Sequence, residues 1–299
     1  MSRAAARWGA AVAVIVLLGS CVGAPERRNP APAAPLPALP AEPVRAGFSF
    51  DGEMIQGGLV VGRAPSGTRA LRLDGASVPL AGDGRFVIAF DRDAPPGATL
   101  VATRERGAPV EEALAIAPRA WRIERLASLP RVAQPSAEFA RRRPAELAQI
   151  NAARRSDAAS EGWRQRFRWP ALGRISGLFG AQRVYRGEAG AYHSGVDIAR
   201  PAGTPVLAPA DGEVVLATAA PFTIEGNLVI IDHGMGLNSA FLHLSRIDVR
   251  VGQRLRQGDP IGLVGATGRA TGPHLHWGMK WRERRVDPLL IAGPMPSSK

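Results

Sequence analysis

Short apolar runs separated by glycine, aspartate and proline dominate the first third of the chain after residue 45. They occur at residues 58–62, 70–73, 86–90 and 99–103. Runs of this length, bounded by turn-forming residues, predict the strands of a small antiparallel sandwich. The pattern therefore predicts a small β-sandwich-like domain over residues 46–120.

The same pattern returns in the last part of the chain. Apolar runs at residues 206–207, 214–217, 228–231, 241–244 and 261–264 are separated by turn residues. They predict a second, larger antiparallel β-sheet domain over residues 170–292, followed by a short tail at 293–299. The predicted fold class is therefore mainly β, and a chain of 299 residues has room for two cores.

The segment between the two β regions, residues 121–169, is predicted to be a partly helical connector. Pro144 suits a first helical position, and Leu147 and Ile150 follow at a spacing of three residues. The segment is rich in arginine and only weakly amphipathic. We expect a connecting helix that packs against the C-terminal domain.

The N-terminal residues predict export. Arg3 and Arg7 precede an apolar run at residues 10–18, which is too short to span a membrane but is typical of a signal-peptide core. The run ends in Leu18-Gly-Ser-Cys21, which resembles the bacterial lipoprotein processing site, where the cysteine becomes the lipidated N-terminus. Residues 1–21 are therefore predicted to be a lipoprotein-type signal peptide ending at Cys21. An ordinary signal peptide or an uncleaved anchor, with Cys21 incidental, is the alternative.

A tether is predicted after Cys21. Residues 22–45 are dense in proline and alanine and show no hydrophobic period, a composition that stays extended and buries no core. Cys21 is the single cysteine of the sequence, so an intrachain disulfide is excluded. The expected location is the periplasmic side of the bacterial cell envelope, with a lipid anchor on Cys21.

The chain is strongly basic, with a formal charge of +12. Removal of residues 1–20 takes away two arginines and no acidic residue, which leaves +10. Such a balance is common in proteins that bind nucleic acid, but export argues against that partner. The arginine runs at 141–143 and 282–285 are candidates for contact with anionic peptidoglycan or lipid headgroups. The alternative is that both runs are simply solvated faces.

Four of the five histidines form a pattern that suits a mononuclear zinc hydrolase. His193 precedes Asp197 by four residues, His274 precedes His276 by two, and His243 lies between these pairs. Side chains two or four residues apart on an extended segment point to the same face, so each pair can aim at one point. Catalytic zinc commonly has three nitrogen or oxygen ligands from the protein and leaves the fourth position to water.

Two other features carry simpler interpretations. His233 ends an apolar run just before Gly234, where a hairpin turn is expected, and is interpreted as a structural residue. The glycine-rich stretch 265–272 lacks the Gly-Lys-Ser/Thr ending of a phosphate-binding loop. We interpret it as a loop that shapes the approach to His274.

The histidine motifs, with an aromatic residue two positions before His243, resemble the LytM/lysostaphin-type zinc metallopeptidases. The resemblance covers about residues 170–288. Further matching positions are Gly195, residues 201–206 (Pro-Ala-Gly-Thr-Pro-Val), 210–212 (Ala-Asp-Gly), 229–234 (Val-Ile-Ile-Asp-His-Gly), 258–262 (Gly-Asp-Pro-Ile-Gly), 265–268 (Gly-Ala-Thr-Gly) and 287–288 (Asp-Pro). The resemblance implies the duplicated hybrid motif fold of peptidoglycan endopeptidases.

The resemblance also implies roles for individual residues. It makes His193, Asp197 and His276 the ligands of one zinc ion per chain and leaves His243 and His274 as catalytic imidazoles. Many members of the family have tyrosine where this chain has Phe241. The implied activity is hydrolysis of peptide crosslinks or stem peptides of bacterial peptidoglycan, in cell-wall remodelling.

Two other functions remain open at this point. One is a catalytically silent relative that activates a cell-wall amidase, with a cell-division or amidase partner; the other is a basic wall-binding module. Silent relatives typically lose one or more ligands, whereas this chain has the complete set. Residues 46–168 are expected either to cap the peptidase groove or to act as a spacer between membrane and wall.

Overall fold

The computed structural model describes residues 45–127 and 136–296, which belong to one compact unit. Cys21 and the export and tether segments predicted before residue 45 lie outside the described residues. Among the described residues, no helix is long and apolar enough to cross a membrane.

The first part of the described chain forms two small antiparallel sheets. Their strands are β1 Ser49–Gly52, β2 Leu59–Arg63, β3 Thr68–Leu73, β4 Ala76–Val78, β5 Arg85–Ala89, β6 Gly97–Arg104 and β7 Val110–Ala115. One sheet has the order β1-β2-β5 and the other the order β4-β3-β6-β7. The four apolar runs predicted as strands lie in or overlap β2, β3, β5 and β6, which confirms the predicted strands.

The core of this part consists of side chains that alternate along the strands. Val60 and Phe86 from one sheet and Leu71, Leu100 and Leu114 from the other are buried. Alternate positions of a strand face opposite sides, so each sheet keeps one face for this core. Burial of side chains of this size removes enough apolar surface from water to stabilise each one by roughly 1.5–3 kcal/mol.

The connector contains one long helix, α1 Ala137–Arg154. It begins about two turns before Pro144, so the expectation that Pro144 opens the helix is wrong. The Ser136 hydroxyl accepts a hydrogen bond from the Phe139 amide at 3.1 Å and caps the helix earlier. Ile150 is buried against the C-terminal sheet, as the connecting-helix prediction requires. A 3-10 turn follows at Gly162–Arg164.

The C-terminal part is built around an eight-stranded antiparallel sheet. Its strands are β9 Arg174–Gly177, β12 Gly195–Ala199, β14 Gly212–Ala217, β15 Asn227–Asp232, β16 Leu237–Leu244, β18 Arg254–Leu255, β20 His274–Trp281 and β21 Arg284–Val286. Seven of them have the order β18-β14-β15-β16-β20-β12-β9, and β21 pairs with β20. A short helix, α2 Pro288–Ala292, follows and is capped by the Asp287 carboxylate.

Two smaller sheets flank the large one. The first contains β13 Pro205–Leu207, β17 Arg246–Ile247 and β19 Pro260–Leu263, in the order β13-β19-β17. The second contains β8 Ile123–Leu126, β10 Gln182–Tyr185 and β11 Glu188–Ala189; here β8 pairs with β10 in parallel. All five apolar runs predicted in this part lie in or overlap strands, so the mainly β fold class is confirmed. The start of the connector also supplies a strand.

The two β regions are joined by polar contacts around β21. Three of the four residues in the run 282–285 are arginines that bond to the first region, so they serve contacts within the chain. Arg284 donates to the Ala89 carbonyl at 3.2 Å. The Arg119 guanidinium forms a 2.9 Å ion pair with the nearly buried Asp287 carboxylate. This run therefore joins the two regions, while the Arg282 and Arg285 side chains stay exposed to solvent.

Candidate metal centre

The pairing of β12 with β20 brings an acid and two imidazoles onto one face of the sheet. Asp197 on β12 is directly opposite His276 on β20. Opposed residues of an antiparallel pair point to the same side, and so does His274, two residues before His276. Extended geometry thus produces the convergence that the spacing of these residues predicts.

His193 lies just before β12 and is held by the turn at residues 178–181. Its amide donates to the Ala181 carbonyl at 2.8 Å, and its own carbonyl accepts from the Gly180 amide at 2.8 Å. Its ring Nδ1 lies 3.0 Å from the Leu178 carbonyl oxygen. Because a carbonyl oxygen can only accept, Nδ1 carries the proton and Nε2 is left to face Asp197.

Three donor atoms from His193, Asp197 and His276 form a compact triangle. His193 Nε2 and His276 Nδ1 lie 3.0 Å and 2.8 Å from Asp197 Oδ1, and 3.0 Å from each other. Tetrahedral zinc with bonds of about 2.0–2.1 Å holds its ligand atoms about 3.3 Å apart. The triangle is slightly smaller than this, so its two nitrogens and one oxygen fit a single zinc ion.

Two glycines make room for the Asp197 and His276 side chains, because a larger residue at either position would clash with them. A Cβ atom at Gly177 would lie 2.4 Å from Asp197 Oδ2, and one at Gly195 would lie 2.8 Å from His276 Nε2. Gly195 is among the positions that carry the family resemblance, whereas sequence reasoning missed Gly177. Its signal is structural, since Gly177 is the partner of Asp197 in the β9–β12 pairing.

Two further imidazoles lie beside the triangle. His243 Nδ1 lies 2.8 Å from the Thr267 carbonyl oxygen and His274 Nδ1 lies 2.8 Å from that of Gly272, so Nε2 of each neutral ring is unprotonated. The two ring centroids are 4.8 Å apart. The His243 backbone has a φ of +64°, in the left-handed region that non-glycine residues rarely adopt. The predicted loop 265–272 supplies both accepting carbonyls.

The electrostatics of the centre favour a charged Asp197 beside neutral His276 and His243 rings. Burial opposes ionisation of Asp197, but hydrogen bonds from His193 and His276 outweigh it and hold the pKa of the carboxyl well below its ordinary value. Burial lowers the pKa of His276, and it lowers the pKa of His243 to about 4. For His193 the effect of burial is exceeded by the neighbouring Asp197 carboxylate, which raises the pKa of the ring and favours a second proton, on Nε2, when no metal is bound. An ionised carboxylate and neutral imidazoles are the protonation states that a metal needs.

His233 lies apart from this centre and is fully buried. Its Nδ1 lies 2.7 Å from the Asp211 carbonyl oxygen, and its Nε2 lies 2.9 Å from Ser239 Oγ. The Phe167 ring packs against it edge to face at 4.9 Å. Both ring nitrogens are therefore engaged, and the interpretation of His233 as a structural residue is confirmed.

Comparison with known proteins agrees with this geometry. The sequence model of Peptidase family M23 matches residues 191–288, which contain all five residues of the centre. Peptidoglycan DD-endopeptidase ShyA from Vibrio cholerae is 42% identical over 135 residues, which are 45% of this chain and 31% of that protein. Cell division protein DipM from Caulobacter vibrioides is 38% identical over 132 residues, 42% of this chain and 21% of that protein. The aligned region thus spans less than a third of either curated relative.

A solved structure is similar over most of the chain. A crystal structure described as a peptidase M23 from Pseudomonas aeruginosa superposes with a TM-score of 0.62 at 31% identity. The match covers 81% of this chain and 96% of that one. Residues 191–288 are only roughly a third of the sequence, so the likeness extends beyond the centre into the rest of the fold.

Proposed function

The chain belongs to peptidase family M23, and from that premise we propose that it is a zinc-dependent endopeptidase of the bacterial cell wall. Its substrate is proposed to be the peptide crosslinks or stem peptides of peptidoglycan. Among the relatives, ShyA carries the name of a peptidoglycan DD-endopeptidase. The reaction class is therefore hydrolysis of an amide bond between amino acids.

The observation that carries this proposal is the convergence of three donor atoms beside two oriented imidazoles. His193, Asp197 and His276 would hold one zinc ion per chain, since their donor atoms lie 2.8–3.0 Å apart. When bound, zinc lowers the pKa of a coordinated water and polarises a carbonyl. The His193 and Asp197 side chains keep 24% and 23% of their exposure, so an extended substrate can reach the centre from solvent.

His243 and His274 are proposed to handle the protons. A neutral imidazole with its Nδ1–H donated to a carbonyl offers Nε2 as an acceptor for the proton of an attacking water. The second ring, once protonated, donates a hydrogen bond to the oxyanion that develops on the scissile carbonyl. The backbone carbonyls of Thr267 and Gly272 keep both rings in the required tautomer.

Digestion of purified peptidoglycan with the mature protein, followed by mass spectrometry of the soluble products, tests this function. An endopeptidase cuts the crosslinks, so later digestion of the glycan with a muramidase gives uncrosslinked muropeptides whose glycan–peptide bond is intact. A silent activator releases nothing alone and yields glycan-free stem peptides only when an amidase is added. Absence of cut crosslinks from active, zinc-loaded protein would contradict the proposal.

We also propose an exported, lipid-anchored protein with the domain division expected from the sequence, a β domain at 46–120, a connector at 121–169 and the peptidase domain at 170–292. The anchor is Cys21, which the tether joins to the described residues. An acyl chain adds about 0.8 kcal/mol of membrane affinity per buried methylene, so two or three chains give stable attachment. Cys21→Ser should lose labelling by a fatty-acid analogue, and equal labelling of both proteins would refute the anchor.

A further inference from the structure

The turn at residues 178–181 fixes the orientation of His193 from three sides. It accepts the His193 amide at Ala181, donates to the His193 carbonyl from Gly180, and accepts the ring Nδ1–H at Leu178. These bonds set both the backbone position and the ring tautomer of His193. Any group that holds this turn in place therefore also acts on the direction of His193 Nε2.

Arg92 holds the turn from the other side, and it comes from the N-terminal β region. Its Nε donates to the Gly180 carbonyl at 2.9 Å, and its Nη2 donates to Gln182 Oε1 at 3.0 Å. The residue is only 6% exposed. The guanidinium lies over the Trp121 ring at 5.4 Å and over the Tyr192 ring at 4.9 Å. A buried guanidinium held by directed bonds and two aromatic faces has little freedom to move.

Asp91, the residue before Arg92, holds the chain on the other side of His193. Asp91 Oδ1 accepts a 2.6 Å hydrogen bond from the hydroxyl of Tyr192, the residue that precedes His193. Its other oxygen accepts from the Arg285 amide at 2.9 Å. Two consecutive residues after β5 thus hold the chain on both sides of His193, through Gly180 and through Tyr192. Sequence reasoning found no functional residue in this region.

We propose that Arg92 is a positioning residue for His193, and that the N-terminal β region is thereby part of the metal centre. This inference rests on the proposed function, because it takes His193 as a zinc ligand. Groups that orient a metal-bound histidine typically contribute 10–100-fold to metal affinity. Arg92 acts through the turn, so we expect about tenfold, the lower end of that range.

The test measures the zinc Kd of the mature protein by competition with a chelator. Arg92→Ala should raise Kd by about tenfold, because the Gly180 carbonyl loses its partner and the turn gains freedom. Arg92→Lys keeps a charge between the two rings but lacks the guanidinium fork, and should give a smaller increase. Arg104→Ala is the matched control, since that guanidinium also donates to a backbone carbonyl, Ala108, within its own hairpin.

A second readout separates positioning from plain stabilisation. The visible spectrum of cobalt-substituted protein reports the ligand geometry, and we expect it to change in Arg92→Ala but not in Arg104→Ala. A stabilising role alone would lower the melting temperature of the metal-free protein while leaving Kd within twofold of wild type and the spectrum unchanged. That result would overturn the inference. Where Arg92→Ala does not fold, Arg92→Lys decides by the same two measurements.

The wild-type titration keeps this inference distinct from the proposed function. If wild-type protein binds no zinc, the proposed function fails. If wild type binds zinc tightly and the Arg92 variants bind it equally well, only the positioning role of Arg92 fails.

Discussion

Three imidazoles of the centre donate Nδ1–H to a backbone carbonyl, and each keeps Nε2 for chemistry. These are His193, His243 and His274, whose accepting carbonyls belong to Leu178, Thr267 and Gly272. His276 has the opposite arrangement, with Nδ1 facing Asp197. The tautomers of His193, His243 and His274 are thus imposed by backbone carbonyls, which substitution of a neighbouring side chain does not remove.

His276 and His274 lie on the same face of β20 and should nevertheless respond differently to alanine. His276→Ala removes a donor atom of the triangle and should abolish most zinc binding, as measured by elemental analysis. His274→Ala, the matched control, should retain zinc but lose activity by about 10²-fold or more, and His243→Ala likewise. Wild-type zinc content in His276→Ala would refute the ligand set.

The buried His233 predicts how stability depends on pH. Burial lowers its pKa from an ordinary 6.5 to about 4 in the folded protein. Between these values the unfolded chain binds a proton that the folded chain does not. The contribution of neutral His233 to the free energy of unfolding is therefore fully present above pH 6.5 and is lost as pH falls towards 4. The loss approaches about 3 kcal/mol near pH 4.

Urea unfolding of metal-free protein at pH 7 and pH 4.5 measures this dependence. His233→Gln keeps hydrogen-bonding capacity towards Asp211 and Ser239 but has no titrating ring. Its free energy of unfolding should therefore change less between the two pH values than that of the wild type. An equal change in both proteins would show that folding leaves the pKa of His233 at its ordinary value.

At the residue scale, the sequence sufficed for the five residues of the centre but not for the groups around them. These five residues were implied by the family resemblance, and the spacing of His274 and His276 agrees with their position on one face of β20. Gly177 and Arg92 could not, because they act through contacts with residues distant in sequence. The backbone carbonyls that accept the ring Nδ1–H groups could not be predicted from the sequence either, since every residue has a carbonyl.

At the scale of elements, the centre depends on the register of three neighbouring strands. Asp197 is opposite Gly177 on β9 and opposite His276 on β20. A shift of one residue would turn Asp197 to the other face of the sheet. The bulge between Asp197 and Ile198 lies at the carboxylate of the centre, and bulges commonly re-aim a side chain.

Gly177→Ala tests this close packing of strands. The added Cβ would lie 2.4 Å from Asp197 Oδ2 and 3.0 Å from His193 Cε1, so the carboxylate must move. We expect a weaker zinc affinity, by about tenfold or more, in a protein that still folds. Gly272→Ala is the control, because it lies in the loop beside His274 and its Cβ would meet nothing within 4 Å. Equal zinc affinities in the two variants would refute the packing argument.

The positions of the strands could be predicted more reliably from the sequence than the pairing of one strand with another. Apolar runs bounded by turn residues identify β14, β15 and β16, because burial sets the composition of a strand. The parallel pairing of β8 with β10 joins distant segments, and no local pattern reports it. The start of α1 differs from the expectation because the Ser136 hydroxyl caps the helix about two turns before Pro144, which lies inside it.

At the scale of the whole molecule, the two β regions behave as one body. Buried side chains of both regions belong to one hydrophobic cluster, and the arginines after Trp281 bond to the first region. Much of the positive charge around β21 is therefore used between the regions. Neither alternative for residues 46–168, a cap on the groove or a spacer, includes this shared packing.

A shortened chain that begins at Arg168 tests the shared packing. It loses Arg92, Trp121 and α1, and exposes apolar surface that the full chain buries. We expect it to be less stable and no faster on a small peptide substrate than the full chain. Circular dichroism melts and initial rates at matched zinc loading measure both properties. Faster hydrolysis by the well-folded shortened chain would instead support a cap over the groove.

At His243, the left-handed backbone conformation lowers the stability of the folded protein, while the proposed function requires the imidazole at this position. A non-glycine residue with φ near +60° raises the free energy of the folded state by about 1 kcal/mol, and glycine would relieve this strain. A library screened only for thermal resistance should therefore enrich glycine or asparagine at this position and yield robust but inactive proteins. Under the proposed function, retention of histidine there would have to come from selection for turnover, because the backbone conformation at this position favours its loss.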